Sequence, residues 1–179
     1  TTFFSGVTNG NGDGGLNNAS AANAAGEIFS IWQELALAGL IKGTYSPNSG
    51  PGGTYDSVVG TNGPAAKIPS GGYAWSNYAT KSGVSTAYDG YYGNILFFGA
   101  KYTANQTVGV ILTPAEAYSI DQKMDDGIPG TGSIRTLYGA TYAPNCSTSG
   151  SVNTSPAASA YNITAYSGIA CQLIFISGW

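Results

Sequence analysis

The chain contains no histidine. That absence removes the commonest general base, any Ser–His triad and most zinc sites. Charge is scarce: charged residues make up 8% of the 179 positions, six basic against nine acidic. The basic residues are not clustered and the net charge is −3, which argues against nucleic acid as a partner. No P-loop or dinucleotide fingerprint is present. No run approaches the ~18 apolar residues of a membrane-spanning helix. With only two cysteines, which read as joined to each other, no thiol nucleophile remains. A carboxylate-only hydrolase would still be open to nine acidic residues. Nothing in their spacing selects a pair, so the expectation is that the protein is not an enzyme.

What is present is apolar and turn-rich. The hydrophobic share is 42%, with 27 Gly, 13 Tyr and 3 Trp. Such a chain folds into a loop-rich globule and is not disordered. Its length suits a single domain over residues 1–179. Cys146 and Cys171 sit in a polar, lysine-poor background, which points to a disulfide in an oxidising compartment; the alternative is two unrelated buried thiols. A bridge closing that loop stabilises by about 3 kcal/mol in the chain-entropy picture. The opening residues Thr1-Thr2-Phe3-Phe4 read as the interior of a motif, so an upstream segment is expected to have been removed.

The best helix pattern covers residues 20–41. Ser20 serves as N-cap, and Ile28, Phe29, Ile31, Trp32, Leu35 and Leu40 recur at helical spacing. Gly39 and Gly43 supply the stop. Residues 43–93 read as a long irregular stretch or as short strands that periodicity does not resolve. Residues 94–100 and 107–112 read as two strands of a hairpin. A second helix spans 114–125, opened by a Thr113/Glu116 capping box with Pro114 at the first position, and with Ala117, Ile120 and Met124 as its apolar face. Residues 133–142 and 169–177 are further strand candidates.

Three groups could carry chemistry. The Gly/Asn run holding Asn9, Asn11 and Asp13 imitates the first half of a calcium loop, and Glu27 could serve as a distal ligand. The alternative is a plain turn in which Asp13 makes local side-chain bonds. Asp121, Asp125 and Asp126 form a second acidic cluster, where like charges at i, i+4 repel and oppose the helix dipole. Backbone N–H groups and Arg135 are the expected compensators, giving a structural turn; a bound cation is the alternative. Tyr73, Trp75, Tyr78, Tyr88, Tyr91 and Tyr92 form an aromatic-dense stretch. Exposed, these rings would suit sugar stacking; buried, they would supply a core short of aliphatics.

Two separated segments share a resemblance. One is Gly26-Glu27-Ile28-Phe29-Ser30-Ile31-Trp32-Gln33-Glu34-Leu35 with Ala38-Gly39-Leu40-Ile41-Lys42-Gly43. The other is Leu112-Thr113-Pro114-Ala115-Glu116-Ala117 with Ile120-Asp121, Lys123 and Asp125-Asp126-Gly127. Together they resemble the heads of prepilin-type proteins, the type IV pilins and type II secretion pseudopilins. Thr1-Thr2-Phe3-Phe4-Ser5-Gly6 and the Gly/Asp run around Asp13 match the segment after that family's long N-terminal helix, and the late cysteines fit its C-terminal pair.

The resemblance implies an α+β pilin-like head, with a helix packed on a small antiparallel sheet, long Gly/Tyr-rich loops and a C-terminal disulfide. It implies a structural subunit that assembles with copies of itself and related subunits into a filament. Such a subunit is held in the bacterial inner membrane by an N-terminal helix not included in these residues, and it ends in an extracellular filament or the periplasm. Phe29, Trp32 and Leu35 are expected to lie on the sheet, contributing roughly 5–8 kcal/mol. The competing expectation is an extracellular glycan-binding module that uses the loop aromatics.

Overall fold

The computed structural model describes residues 9–139, 141–148 and 156–178. The Thr1-Thr2-Phe3-Phe4-Ser5-Gly6 segment of the resemblance lies outside the described residues. The protein is α+β: two helices, α1 (Glu27–Leu37) and α2 (Pro114–Met124), and one sheet. The sheet has four strands, β1 (Gly71–Lys81), β2 (Gly90–Ala100), β3 (Ile134–Arg135) and β4 (Leu173–Ile176). Its order is β1-β2-β4-β3, with every neighbouring pair antiparallel. A disulfide joins Cys146 to Cys171. It fits an oxidising environment outside the cytoplasm. Among the described residues no helix is long and apolar enough to cross a membrane.

Strand alternation divides the core into two layers. Tyr73, Phe98 and Leu173 align across one face, followed by Trp75, Leu96, Phe175 and Ile134. Both helices pack on this face. Phe29 of α1 joins a cluster with Trp75, and the Trp32 and Trp75 rings lie 6.1 Å apart. Ala117 of α2 packs with Leu173 and Ile134. Ala74, Ile95, Phe97 and Ile174 line the opposite face, which is covered by irregular chain carrying Ala87, Val108, Leu137, Tyr102 and Tyr142. The result is a helix layer, a sheet and a loop layer.

The first helix is shorter than the periodicity predicts, and Ser20 is not its N-cap. Residues ahead of Glu27 pair with the chain around residues 47–50 instead: Gly26 N donates to Pro47 O (3.2 Å), Ser49 N to Ala24 O (2.8 Å), and Ala25 bridges Asn48. Gly26 is the N-cap, in an extended conformation and without a side-chain cap. A Cβ there would sit 2.4 Å from Ala19 N, so the close approach of the Asn18–Ala19 backbone demands glycine. The C-terminus is a Schellman motif, with Leu40 N donating to Leu35 O and Gly39 N to Ala36 O, and with Gly39 at φ +74. Phe29 and Trp32 are buried as expected; Leu35 is only half-buried, and Ile28 takes its place in the core.

The second helix follows its sequence signals. Thr113 Oγ1 accepts from Glu116 N (3.2 Å) while Glu116 Oε2 accepts from Thr113 N (2.8 Å). Its inward face differs from the expected one. Met124 is 67% exposed, and the buried positions are Pro114, Ala117 and Asp121.

The expected 94–100/107–112 hairpin shrinks to isolated bridges. Residues 94–100 do form the end of β2, but their partners are β4 and β1, the latter within the 43–93 stretch where periodicity marks no strand. Residues 107–112 cross over the end of β2 and bridge only Ala100↔Gly109 and Leu112↔Cys171. The crossing is close: a Cβ on Gly99 would meet Thr107 O at 2.4 Å and Gly109 O at 2.6 Å. Both obstacles are backbone and cannot rotate away. Gly99→Ala is therefore expected to lower stability by about 2 kcal/mol or more, read as a reduced urea midpoint at unchanged slope. An unaltered midpoint would show that the crossing is looser than drawn.

Candidate functional site

The acidic turn after α2 is the best-defined polar cluster. α2 is fixed at its start by the capping box and by Leu112, which exchanges hydrogen bonds with Cys171 on both N–H and C=O (2.9 Å each). Its end therefore arrives at a set place beside the disulfide-linked chain. Asp121 is fully buried there. Its Oδ2 accepts from the Tyr161 hydroxyl (2.8 Å) and its Oδ1 from Gly127 N (3.2 Å). Asp125 Oδ2 accepts from Ser133 N (2.5 Å) and Ile134 N (2.9 Å). Asp126 Oδ1 accepts from Ile128 N (2.8 Å), and its Oδ2 from the Thr131 hydroxyl (2.5 Å). The three carboxylates thus hold residues 125–134 in shape as that segment leads into β3.

Backbone N–H groups are compensators, as the sequence suggests, but Arg135 is not. Its Nε donates to Gly132 O (3.1 Å) and its guanidinium stacks 4.7 Å from the centre of the Tyr92 ring. Gly132 is required beside it. At φ +64 it is left-handed, and a Cβ would fall 1.9 Å from Asp125 Oδ2.

Among the described residues, Asp121, Asp125 and Asp126 are the one group of three or more His, Cys, Asp or Glu whose ligand atoms lie within 4.8 Å of one another. Each carboxylate already accepts N–H or O–H donors, an environment that satisfies anions without a cation.

Asn11 and Glu27 are also brought together, with Asp13 bonded to Asn11, in the same manner. Glu27 Oε1 accepts from Asn11 N (2.5 Å) and Oε2 from Asn17 N (2.9 Å). Asp13 accepts from Gly15 N and Asn11 Nδ2 (2.8 Å each), while Asn11 Oδ1 accepts from Asp13 N (2.9 Å). Asn9 is exposed. Calcium needs six to eight oxygens free to coordinate. Here N–H donors converge on the carboxylates, so the donor set as folded does not fit that ion. Glu27 works as a staple between α1 and the loop.

The aromatic-dense stretch is mostly core. Tyr88 and Tyr92 are fully buried, and Tyr73, Trp75 and Tyr78 are half-buried; only Tyr91 of the six, at 70%, is exposed. Sequence reasoning missed two buried amides that organise the loops. Asn94 Oδ1 accepts from Leu16 N and Asn77 Nδ2 (2.9 Å each), and its Nδ2 donates to Gly14 O (2.7 Å). Asn62 Oδ1 accepts from Val58 N (2.7 Å), and its Nδ2 donates to Asn48 O and Asp56 O (3.0 Å each). A signal existed for Asn94: it is a lone amide in the apolar run Asn94-Ile95-Leu96-Phe97-Phe98.

No family model, curated protein or solved structure matches the chain.

Burial pushes the Asp121 carboxyl from 3.8 up to about 6; Asp126 and Asp125 add to the rise, while Tyr161 and Gly127 oppose it. A proton is therefore held more tightly in the folded state than in the unfolded one. The stabilisation from that proton is complete below about pH 4 and is lost as pH rises through about 6, a swing of about 3 kcal/mol. Asp13 and Glu116 are shifted down by their hydrogen bonds and act in the opposite sense. The informative quantity is therefore the difference between wild type and Asp121→Asn. Measured by urea unfolding, wild type should gain stability relative to the variant between pH 7.5 and pH 4.5. Parallel profiles would mean that Asp121 does not titrate in this range.

Proposed function

We propose that this chain is the globular head of a filament subunit of the type IV pilin or type II secretion pseudopilin kind. It acts by assembling with copies of itself and related subunits, and an N-terminal stem outside these residues anchors it in the inner membrane beforehand. The observation that carries the reading is the unit formed by residues 112–134. There the family-like Thr-Pro-x-Glu helix start and Asp-Asp-Gly turn fold as one piece, and the carboxylates are spent on holding backbone.

The architecture supports it. Helices lie on one face of a small antiparallel sheet, with a late disulfide tying the C-terminal strand to the loop before it. A surface poor in charge suits packing against like copies better than steering a charged ligand. Glycan binding through the aromatics of residues 43–93 has less support, because most of those rings pack inward and only Tyr55 and Tyr91 are exposed.

The test is immunogold electron microscopy of the source cells, with antibody against the folded head, joined to N-terminal sequencing of the native protein. Label along sheared filaments, on a protein that carries an apolar stem, is the expected outcome. Label confined to soluble protein without a stem overturns the assignment.

A further inference from the structure

A polar cleft of about 240 Å³ opens beside the irregular end of β1. Its lining includes Tyr55, Ser76, Tyr78, Lys81, Asn105 and Gln106. The strand is built to make it: the β1/β2 register slips on both sides of Ala79, which sits at φ 47. Beyond the slip, Lys81 returns over Tyr78, with its Nζ 4.3 Å from the ring centre.

The lining has a defined polarity. Gln106 is 2% exposed, and its Nε2 donates to Ser76 Oγ (3.1 Å). Its Oε1 accepts nothing from the described residues and is not sealed from solvent, so an amide oxygen is left available at the cleft. Asn105 Oδ1 takes the Gln106 N–H (2.9 Å), and its Nδ2 reaches the Tyr142 hydroxyl at 3.4 Å with one N–H, leaving the other. Tyr55 is 41% exposed, with its hydroxyl accepting from Asn18 Nδ2 (3.0 Å), which fixes the ring at the rim. No carboxylate lines the cleft, and no Asp or Glu among the described residues lies within 4.0 Å of Lys81. On a chain of net charge −3 this is a local positive site.

These groups sort candidate ligands by chemistry. Side-chain amides that offer both acceptor and donor match vicinal hydroxyls. A tyrosine face suits the C–H side of a saturated ring. An ammonium with no acidic partner selects a carboxylate. Nucleotides fit less well, because a single lysine without a glycine-rich N–H cradle is a poor phosphate site.

We infer that this cleft binds one ring of an acidic saccharide, a hexuronate-type sugar whose carboxylate meets Lys81 and whose hydroxyls meet Gln106 and Asn105 beside Tyr55. The inference does not depend on filament assembly, and of the aromatic-dense stretch it involves only the half-buried Tyr78, on whose ring Lys81 rests.

The test is titration of the purified protein with D-glucuronate and, separately, D-glucose, followed by saturation-transfer NMR and by chemical shifts of the cleft amides. Glucuronate should bind more tightly than glucose, and its affinity should fall as salt is raised. Lys81→Met should weaken glucuronate roughly tenfold and leave glucose unchanged. Tyr55→Ala should weaken both. Neither side chain belongs to the core, so both variants should keep the wild-type urea midpoint, which separates loss of binding from loss of fold. The inference is overturned if glucuronate and glucose bind equally, if neither perturbs the cleft, or if Lys81→Met binds glucuronate as well as wild type does.

Discussion

Buried side-chain amides and carboxylates take the place of regular secondary structure across much of this protein, and the rest of the fold depends on that substitution. Between α1 and β1 the chain forms no helix and no extended ladder, yet residues such as Ser49, Asp56 and Ser57 lie inside. Interior backbone must find partners, because an unpaired N–H or C=O away from water costs as much as a lost hydrogen bond. Asn62 supplies three of those partners from one side chain and Asp56 another, its Oδ2 accepting from Gly52 N. Asn94 does the same between the N-terminal loop and the sheet, and its own carbonyl accepts from Ser177. Among the described residues no lysine or arginine pairs with a carboxylate within 4.0 Å. Directional hydrogen bonds, not ion pairs, position the loops, which explains how so few charges suffice.

The same constraint shapes the two faces of the sheet. A helix satisfies its own backbone and brings a ready-made apolar stripe, so the face carrying Tyr73, Phe98 and Leu173 is closed by Phe29, Trp32 and Ala117. The opposite face is closed by loops, which contribute tyrosines in place of aliphatics. Tyr102 and Tyr142 meet edge to face at 5.2 Å, and Tyr88 and Tyr138 pack tilted with ring centres 4.8 Å apart. A buried tyrosine also brings a hydroxyl that needs a partner, and the loops provide one. Tyr92 donates to Tyr88 O, Tyr138 to Val84 O, and Tyr88 to Ser147 Oγ. The abundance of tyrosine is thus tied to the loop layer: the rings fill space, and those of Tyr88, Tyr92 and Tyr138 also pin an irregular carbonyl or hydroxyl.

Where local chemistry alone sets structure, the sequence was readable. The Thr113/Glu116 box, Pro114, the Gly39 stop and the apolar run ending β2 all act within a few residues of themselves. The Cys146–Cys171 bridge followed from composition. What stayed hidden depends on distant partners. Ala21, Ala22, Ala24 and Ala25 carry helix propensity, but the backbone there is claimed by residues 47–50. β1 opens with Gly71-Gly72, which reads as a loop; a Cβ at Gly72 would meet Val59 Cγ2 at 2.6 Å, so these glycines serve close packing. Residues 107–112 have strand composition but cross over Gly99 instead of pairing along β2. For the acidic turn, the three aspartates were legible and their N–H partners foreseeable in kind. Tyr161, 40 residues away, was not, because no local pattern marks it.

That distant partner explains why the turn is built from acids and not amides. Asp125 Oδ2 accepts two backbone N–H groups, and Asp126 accepts one donor on each oxygen. At Asp121 and Asp126, where both oxygens accept, an asparagine would have only one acceptor oxygen and its NH₂ group would face a donor in place of the second. Charge is therefore the means by which one short side chain gathers several N–H groups, and mutual repulsion within 4.8 Å is the consequence. The repulsion is relieved unevenly. Asp125 and Asp126 reach toward solvent, whereas Asp121 is sealed beneath α2 against Tyr161. Desolvation then falls on Asp121 and raises its affinity for a proton. A protonated Asp121 keeps both contacts, because the Tyr161 hydroxyl can turn to accept and Gly127 N still meets an oxygen. The turn can therefore shed one of its three charges without losing its shape.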